Sequence, residues 1–417
     1  MIDILRIRNN AEQVKENLRR RGGTTDMIDD VRALDETYRA RLEQLNTLQA
    51  ERNLKSTKQP TPEEREHLKA LAQNIKKIEK DVKRIEDKME ARLRQVPNLL
   101  LDDVPDGAGD AQNEIVRTVG DIPSFAFEIE DHLTIGERLD IIDVNAAAKV
   151  SGSRFTYLKG DAVLLQMALL HYALNVLVSE GFVPTLTPHL ISREAMAAMG
   201  YLDKGGEEEI YHLKHDDLVL IGTSEQSIGP MYMNTTLDVE QLPLRFVGIS
   251  PCYRREAGSY GKDVRGILRL HQFDKIEMFS FTSPDQSETE HLFLLNMQER
   301  LMQGLGLPYR VIKLCAGDTG FASARTFDIE TWLPAQNQYR ETHSTSTTTD
   351  FQTRRLKTRI KGGKGTYAHA LNGTAFAFGR ILIALLENGQ EADGRVRIPN
   401  VLQTFMGGRT HISRQHP

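Results

Sequence analysis

With 417 residues, 40% hydrophobic and 27% charged, the chain is long enough for two or three domains with a sizeable core, and its net charge of -5 excludes a protein that coats nucleic acid by bulk electrostatics. No stretch approaches about 18 uninterrupted apolar residues and charges fill Met1 to Arg21, so neither a membrane span nor a signal segment is expected, and the expected compartment is the cytoplasm. Two cysteines, Cys252 and Cys315, are too few for a four-thiolate zinc site or a disulfide framework, and no structural zinc is expected.

A short helix is predicted to open near Asn10, an N-cap candidate with Val14 and Leu18 on one face, and to stop at Gly22-Gly23. From Leu68 to Leu93 the apolar residues Leu68, Leu71, Ile75, Ile78, Val82, Ile85, Met89 and Leu93 recur at steps of three and four, the spacing of a coiled-coil seam. Val31, Leu34, Tyr38, Leu42, Leu45 and Leu48 follow the same spacing more loosely. Pro60-Thr61-Pro62 cannot continue a helix, so the two runs read as an antiparallel hairpin over 31–95 with its tip near residue 60, although the pattern alone also fits a dimerisation coiled coil. Basic clusters at Arg19 to Arg21, at Lys76 to Arg84 and at Arg354 to Lys361 leave room for local nucleic-acid contacts, but on charge alone each reads first as a solvated face. The Pro- and Gly-bearing acidic stretch Val96 to Pro123 reads as a linker.

From about Ile135 the pattern mixes helix and strand. Helices are expected over 163–179 and 286–304, and strands over 218–221, 244–251, 266–282, 309–314 and 326–333. Neither a Rossmann fingerprint nor a P-loop occurs. Strand alternation puts Arg254 and Glu256 on one face of the run Val247 to Phe281, and Arg269, His271, Phe273, Lys275 and Glu277 on one face of its return. Arginines for phosphate, a ring for a base and carboxylates for amines suit a nucleotide, though salt bridges on a solvated strand would look similar. Arg380 is the lone charge in the greasy helix-like run Ala375 to Leu386, where an unpaired guanidinium is costly. Tyr339 to Gln352 gathers hydroxyls around Glu341, His343 and Asp350, a set suited to hydrated Mg²⁺ or to a polar loop. In an extended chain Thr223 and Glu225 face the same way, a weak signal for a grip on an amine. The tail Gly407 to Pro417 is expected to be flexible.

Taken in order, these segments resemble the bacterial-type seryl-tRNA synthetases of class II over nearly the whole chain. GFVPTLTPHL with Pro188 resembles motif 1, YRREAGSYGKDVRG running into LRLHQFDKIE resembles motif 2, and HALNGTAFAFGR resembles motif 3; TSEQ at Thr223, FDIETWLPAQNQYRE and the helical hairpin stand in family order. The resemblance implies an α+β fold: a tRNA-binding domain at 1–105, a linker and start of the body at 106–134, and a catalytic domain at 135–417 built on a mainly antiparallel sheet flanked by helices. It implies a homodimer that makes seryl-adenylate from L-serine and ATP and loads tRNA(Ser), with tRNA(Sec) as a further acceptor. Arg254, Arg380 and Glu341 would serve catalysis. ATP would meet Arg254, Glu256, Arg269, Leu270, Phe273, Glu341, Thr342, His343, Ser344 and Arg380, with Mg²⁺ on Glu341 and Ser344. Serine would meet Thr223, Glu225, Arg254, Glu277, Asn372 and Thr374. THSTSTTTD replaces the family's usual serines and cysteine after Glu341, and Thr374 stands where serine is frequent, so hydroxyls are retained at both places. A serine-activating paralogue that loads a carrier protein, and a non-catalytic coiled-coil protein, are the rival readings; the hairpin speaks against the first and the intact Arg254, Glu256, Glu341 and Arg380 against the second.

Overall fold

The computed structural model describes residues 1–55, 61–203, 206–257, 265–362 and 365–414. Met1–Leu99 and Leu100–Pro417 form two compact units. In the first, helix α1 (Ile4–Arg20) begins earlier than the sequence indicates and is kinked at Asn10, whose φ of -153° is not helical. Asn10 still caps the longer part of the helix, because its side-chain oxygen accepts from the Gln13 amide at 3.2 Å; Asp3 caps the extra turns before it. Helices α2 (Asp26–Lys55) and α3 (Pro62–Arg94) run antiparallel, with His67 beside Lys55 near one end and Arg92 beside Asp30 at the other. Leu45, Leu71, Ile75 and Ile78 form their buried seam. Thr61 and Glu64 close a capping box and Pro62 occupies the first turn, where its missing N–H costs nothing; Pro60 lies outside the described residues.

The second unit is an eight-stranded sheet. Its strands are β1 (Glu114–Val119), β2 (Val183–Leu186), β3 (Leu244–Tyr253), β4 (Gln272–Thr282), β5 (Tyr309–Lys313), β6 (Arg325–Leu333), β7 (Gln338–Thr349) and β8 (His369–Ala377). They lie in the order β1-β5-β6-β7-β8-β4-β3-β2, antiparallel throughout except for β2 on β3. The stretch that composition marks as linker thus supplies an edge strand. Helices α4 (Asp161–Ser179), α5 (Ser287–Leu305) and α6 (Phe378–Gly389) pack against the sheet in one large core that includes Leu169, Ile276, Met278, Leu301, Phe376 and Leu382. By length and composition α4 is apolar enough to cross a membrane, but its Leu165, Ala168, Leu169, Ala173 and Leu177 belong to this core.

Four local expectations change. The predicted strand over 266–282 starts only at Gln272, because Gly266 sits at φ 84° and a side chain there would strike His132. The hydroxyl-rich run is strand β7, where β-branched threonines fit and bond across strands, as Thr326 does to Ser346 at 2.8 Å. The apolar run Ala375 to Leu386 is divided between β8 and α6, so Arg380 stands in the first turn of a helix rather than along one. The tail is tied down as far as Ile412: His411–Ile412 pairs with Val396–Arg397, and Arg409 bonds Asp161 at 2.5 Å.

Candidate active site

The residues after β3, strands β4, β7 and β8 and the start of α6 surround a cleft lined by Arg254, Glu256, Arg269, Leu270, Phe273, Lys275, Glu341, Thr342, Thr374 and Arg380, among others. Arg254 follows the last residue of β3 and is aimed by two contacts: its Nε donates to the Gly222 carbonyl at 3.3 Å and its guanidinium lies 5.2 Å from the Phe273 ring centre. His271 is structural, its Nδ1 lying 3.0 Å from the Arg254 carbonyl. Glu256 occupies the left-handed region at φ 50° and pairs with Arg269 at 3.1 Å. The intervening residues 258–264, most of GSYGKDVRG, lie outside the described residues.

Arg380 projects from the first turn of α6 to Glu341 on β7, 2.8 Å between Nη1 and Oε1. Burial in the cleft raises the Glu341 pKa, but the charge and hydrogen bond of Arg380, with the charges of Arg254 and Arg269, outweigh it and hold the carboxyl below its ordinary range. A bulge at Thr342 interrupts the β6–β7 ladder between the pairs Ile329–His343 and Glu330–Glu341. Strict alternation would part Glu341 from Ser344; the bulge lets both approach Asp328. The Asp328 carboxyl is pushed well up by burial and by Glu341, against a hydrogen bond from Ser344, and its Oδ1 is buried without a hydrogen-bond partner among the described residues. Oxygen donors of this kind, with one unsatisfied, fit a hard divalent cation shared with phosphate oxygens. Among the described residues no cluster of three or more His, Cys, Asp or Glu side chains forms a metal cage by itself. His343 does not face the cleft: it is buried with its ring 5.8 Å from Phe376, and burial pushes its pKa down to about 3.

Behind Lys275 and Thr374, which line the cleft, lies a more deeply buried polar cluster. Glu277 on β4 is 2% exposed; its Oε2 takes Lys275 Nζ at 2.6 Å and the hydroxyl of Thr374, its register partner on β8, at 3.0 Å. Glu225 is 4% exposed and accepts from Gln352 Nε2 at 3.1 Å; burial and then the charge of Glu277 raise its pKa, against Lys275, Gln352 and Tyr201. Thr223 lines an adjoining cavity that shares Arg254, Glu256 and Arg269 with the first, and its buried Oγ1 has no partner among the described residues. Asn372 lies two residues before Thr374 on β8. Three residues of the site escaped the sequence reading: Asp328, Gln352 and Gly248. A Cβ at Gly248 would stand 2.3 Å from Ser224 Oγ, so glycine lets Thr223 to Glu225 lie against β3. Lys275, by contrast, is legible in the sequence on the strand face it shares with Glu277.

Residues 1–100 match the family model of the seryl-tRNA synthetase N-terminal domain, and residues 210–389 that of the tRNA synthetase class II core domain (G, H, P, S and T). The serine–tRNA ligase of Clavibacter michiganensis is 43% identical over 416 residues, 98% of this chain and 97% of the relative. Among solved structures, the seryl-tRNA synthetase of Pyrococcus horikoshii complexed with ATP superposes with a TM-score of 0.94 at 35% identity, covering 100% of both chains. The cytoplasmic serine–tRNA ligase of Naegleria fowleri in complex with AMP gives 0.91 at 34%, covering 100% of this chain and 99% of that one.

Proposed function

The chain belongs to the seryl-tRNA synthetase family and has the activity of a serine–tRNA ligase, and from that premise we propose how its own residues carry the reaction. The observation that carries the reading is the cleft lined by Arg254, Arg269 and Arg380 at one side and by Lys275 and Thr374 at the other, where both contact the buried carboxylate of Glu277. ATP takes the first end: Phe273 stacks on adenine, Glu256 accepts from its amine, and Arg269 and Arg380 exchange their carboxylate partners for phosphate oxygens. Leu270 and Thr342 wall this end. Glu341 and Ser344, with Asp328 behind them, hold Mg²⁺, which supplies charge neutralisation of the phosphates when bound. L-serine takes the second end, its ammonium on Thr223 and Glu225, its hydroxyl on Glu277 and Thr374, with Asn372 alongside. Its carboxylate, oriented by Arg254, displaces pyrophosphate from the α-phosphorus; the 3′-hydroxyl of tRNA then attacks the acyl carbon and AMP leaves. Catalysis of the first step is positioning and charge stabilisation, with no protein nucleophile.

Residues 1–105 are the tRNA-binding domain, residues 106–134 are the linker and the start of the body, which includes edge strand β1, and residues 135–417 are the catalytic domain. Lys76, Lys77 and Lys80 on the exposed side of α3 suit a nucleic-acid backbone. The exposed apolar side chains Val163, Leu164 and Met167 of α4 and Val183 and Leu186 of edge strand β2 support a homodimer through that face. The compartment that suits such an enzyme is the cytoplasm, and no zinc enters the reaction.

Pyrophosphate exchange without tRNA, run with serine, threonine, alanine and glycine, tests the site. Exchange with serine alone is expected; equal exchange with alanine would refute the hydroxyl role of Glu277. Deleting residues 31–95 should spare exchange and abolish charging of tRNA(Ser) and tRNA(Sec), and loss of both activities together would refute the division of labour.

A further inference from the structure

Lys275 has no part in the two-step reaction, yet it is the most deeply buried cation of the cleft, 6% exposed, on the strand face it shares with Glu277. Its ammonium and the Thr374 hydroxyl converge on one oxygen of Glu277, Oε2, at 2.6 and 3.0 Å. Among the described residues nothing bonds Oε1. Glu225 is a second buried carboxylate close enough for each anion to oppose the other's charge. Two buried carboxylates in one pocket do not both stay ionised unless a cation accompanies them, and a carboxyl that takes a proton becomes a donor and a weaker acceptor. With Lys275 present, the pocket of Glu225, Glu277 and Lys275 carries one net negative charge, the complement of one substrate ammonium.

We infer that Lys275 is a positioning residue for amino-acid selection: by occupying Oε2 it holds the Glu277 carboxylate turned so that Oε1 is the open acceptor for the β-hydroxyl of the substrate. The selectivity against alanine then comes from a charged acceptor that is left unpaired when the hydroxyl is missing, and a buried unpaired group of this kind rejects the analogue far more strongly than a shape mismatch does. This inference rests on the assignment of Glu277 to the serine hydroxyl.

The experiment is a double-mutant cycle read by pyrophosphate exchange, using the full-length chain with Lys275→Met, Lys275→Arg, Glu277→Gln and the Lys275→Met/Glu277→Gln pair. Lys275→Met should raise the serine KM by about 10- to 100-fold and cut the serine-to-alanine ratio of kcat/KM by a similar factor, with the ATP KM within about two-fold of wild type. Lys275→Arg should restore most of the ratio. Because Lys275 acts through Glu277, the pair should be no less selective than Glu277→Gln alone. The pair removes the Lys275–Glu277 ion pair as a unit and leaves the net charge of the pocket unchanged, so it should fold even where Lys275→Met is unstable, and thermal unfolding checks this. An additive cycle, or a Lys275→Met enzyme that keeps the full ratio, would overturn the inference. A Glu277→Gln enzyme that keeps the ratio would instead overturn the assignment of Glu277.

Discussion

At the phosphate end of the cleft Arg380 is held by Glu341 and Arg269 by Glu256, in ion pairs between partly exposed side chains, whereas at the amino-acid end Glu225, Glu277 and Lys275 are each less than a tenth exposed. Exposed pairs contribute little, so a phosphate exchanges for their carboxylates at small cost. A buried pair is expensive to open, because the partner left behind has no water to turn to. The difference separates two tasks within one cavity. The wet end changes partners during the reaction, and the dry end keeps a fixed set of acceptors that selects the substrate.

The comparison breaks most sharply at Arg254, which borders both ends. Arg254→Ala should lower pyrophosphate exchange by about 10³-fold, the scale of losing one aimed donor to developing charge. The melting temperature should hardly move, since among the described residues the guanidinium makes one hydrogen bond, to the Gly222 carbonyl, and one ring contact, to Phe273. Exchange within a few-fold of wild type would remove Arg254 from catalysis. Arg380→Ala confines the damage to the wet end: ATP binding should weaken by about 10²-fold, as for a lost charge-assisted contact, while serine protection in ligand-dependent thermal shifts persists. A smaller effect is expected at the dry end from Gly248→Ala. The added methyl pushes Ser224 from β3, and overpacking of this kind costs about 1–3 kcal/mol, so the serine KM should rise about 10-fold at unchanged ATP KM. A Gly248→Ala enzyme with normal serine KM would show that the Thr223 to Glu225 segment is not set by that contact.

How much of this was legible in the sequence differs between the same regions. The hairpin announces itself because apolar residues recur at every third or fourth position from Leu68 to Leu93 and most positions between them are charged, so one local period fixes the packing face. Arg254, Glu256, Arg269 and Phe273 stand out because charges and a ring alternate along strands that would otherwise be core. The bulge at Thr342 was invisible: it arises from pairing with a strand distant in the fold, and it alone explains how Glu341 and Ser344, three residues apart, reach one carboxylate. Asp328 and Gln352 were missed for the same reason, since their partners Ser344 and Glu225 are brought by tertiary contacts. The division of Ala375 to Leu386 between a strand and a helix was lost because a continuously apolar run carries no period to tell the two apart.

Acidification gives the mildest and most selective test of the two ends. Burial and the neighbouring Glu277 raise the Glu225 carboxyl, while Arg380 holds the Glu341 carboxyl down in spite of burial. Both act as anions, so each function is present above its own pKa and is lost as pH falls through it. The raised group fails first. As pH falls, the serine KM should therefore climb several-fold before the ATP KM responds, and the climb should begin above the range in which a free glutamate titrates. His343, pushed down to about 3, stays neutral throughout and contributes nothing to the profile. A Glu225→Gln enzyme should start from a high serine KM and lose the climb. Parallel rises in the two constants, or a climb that survives Glu225→Gln, would place the titrating group elsewhere and erase the electrostatic contrast between the two ends.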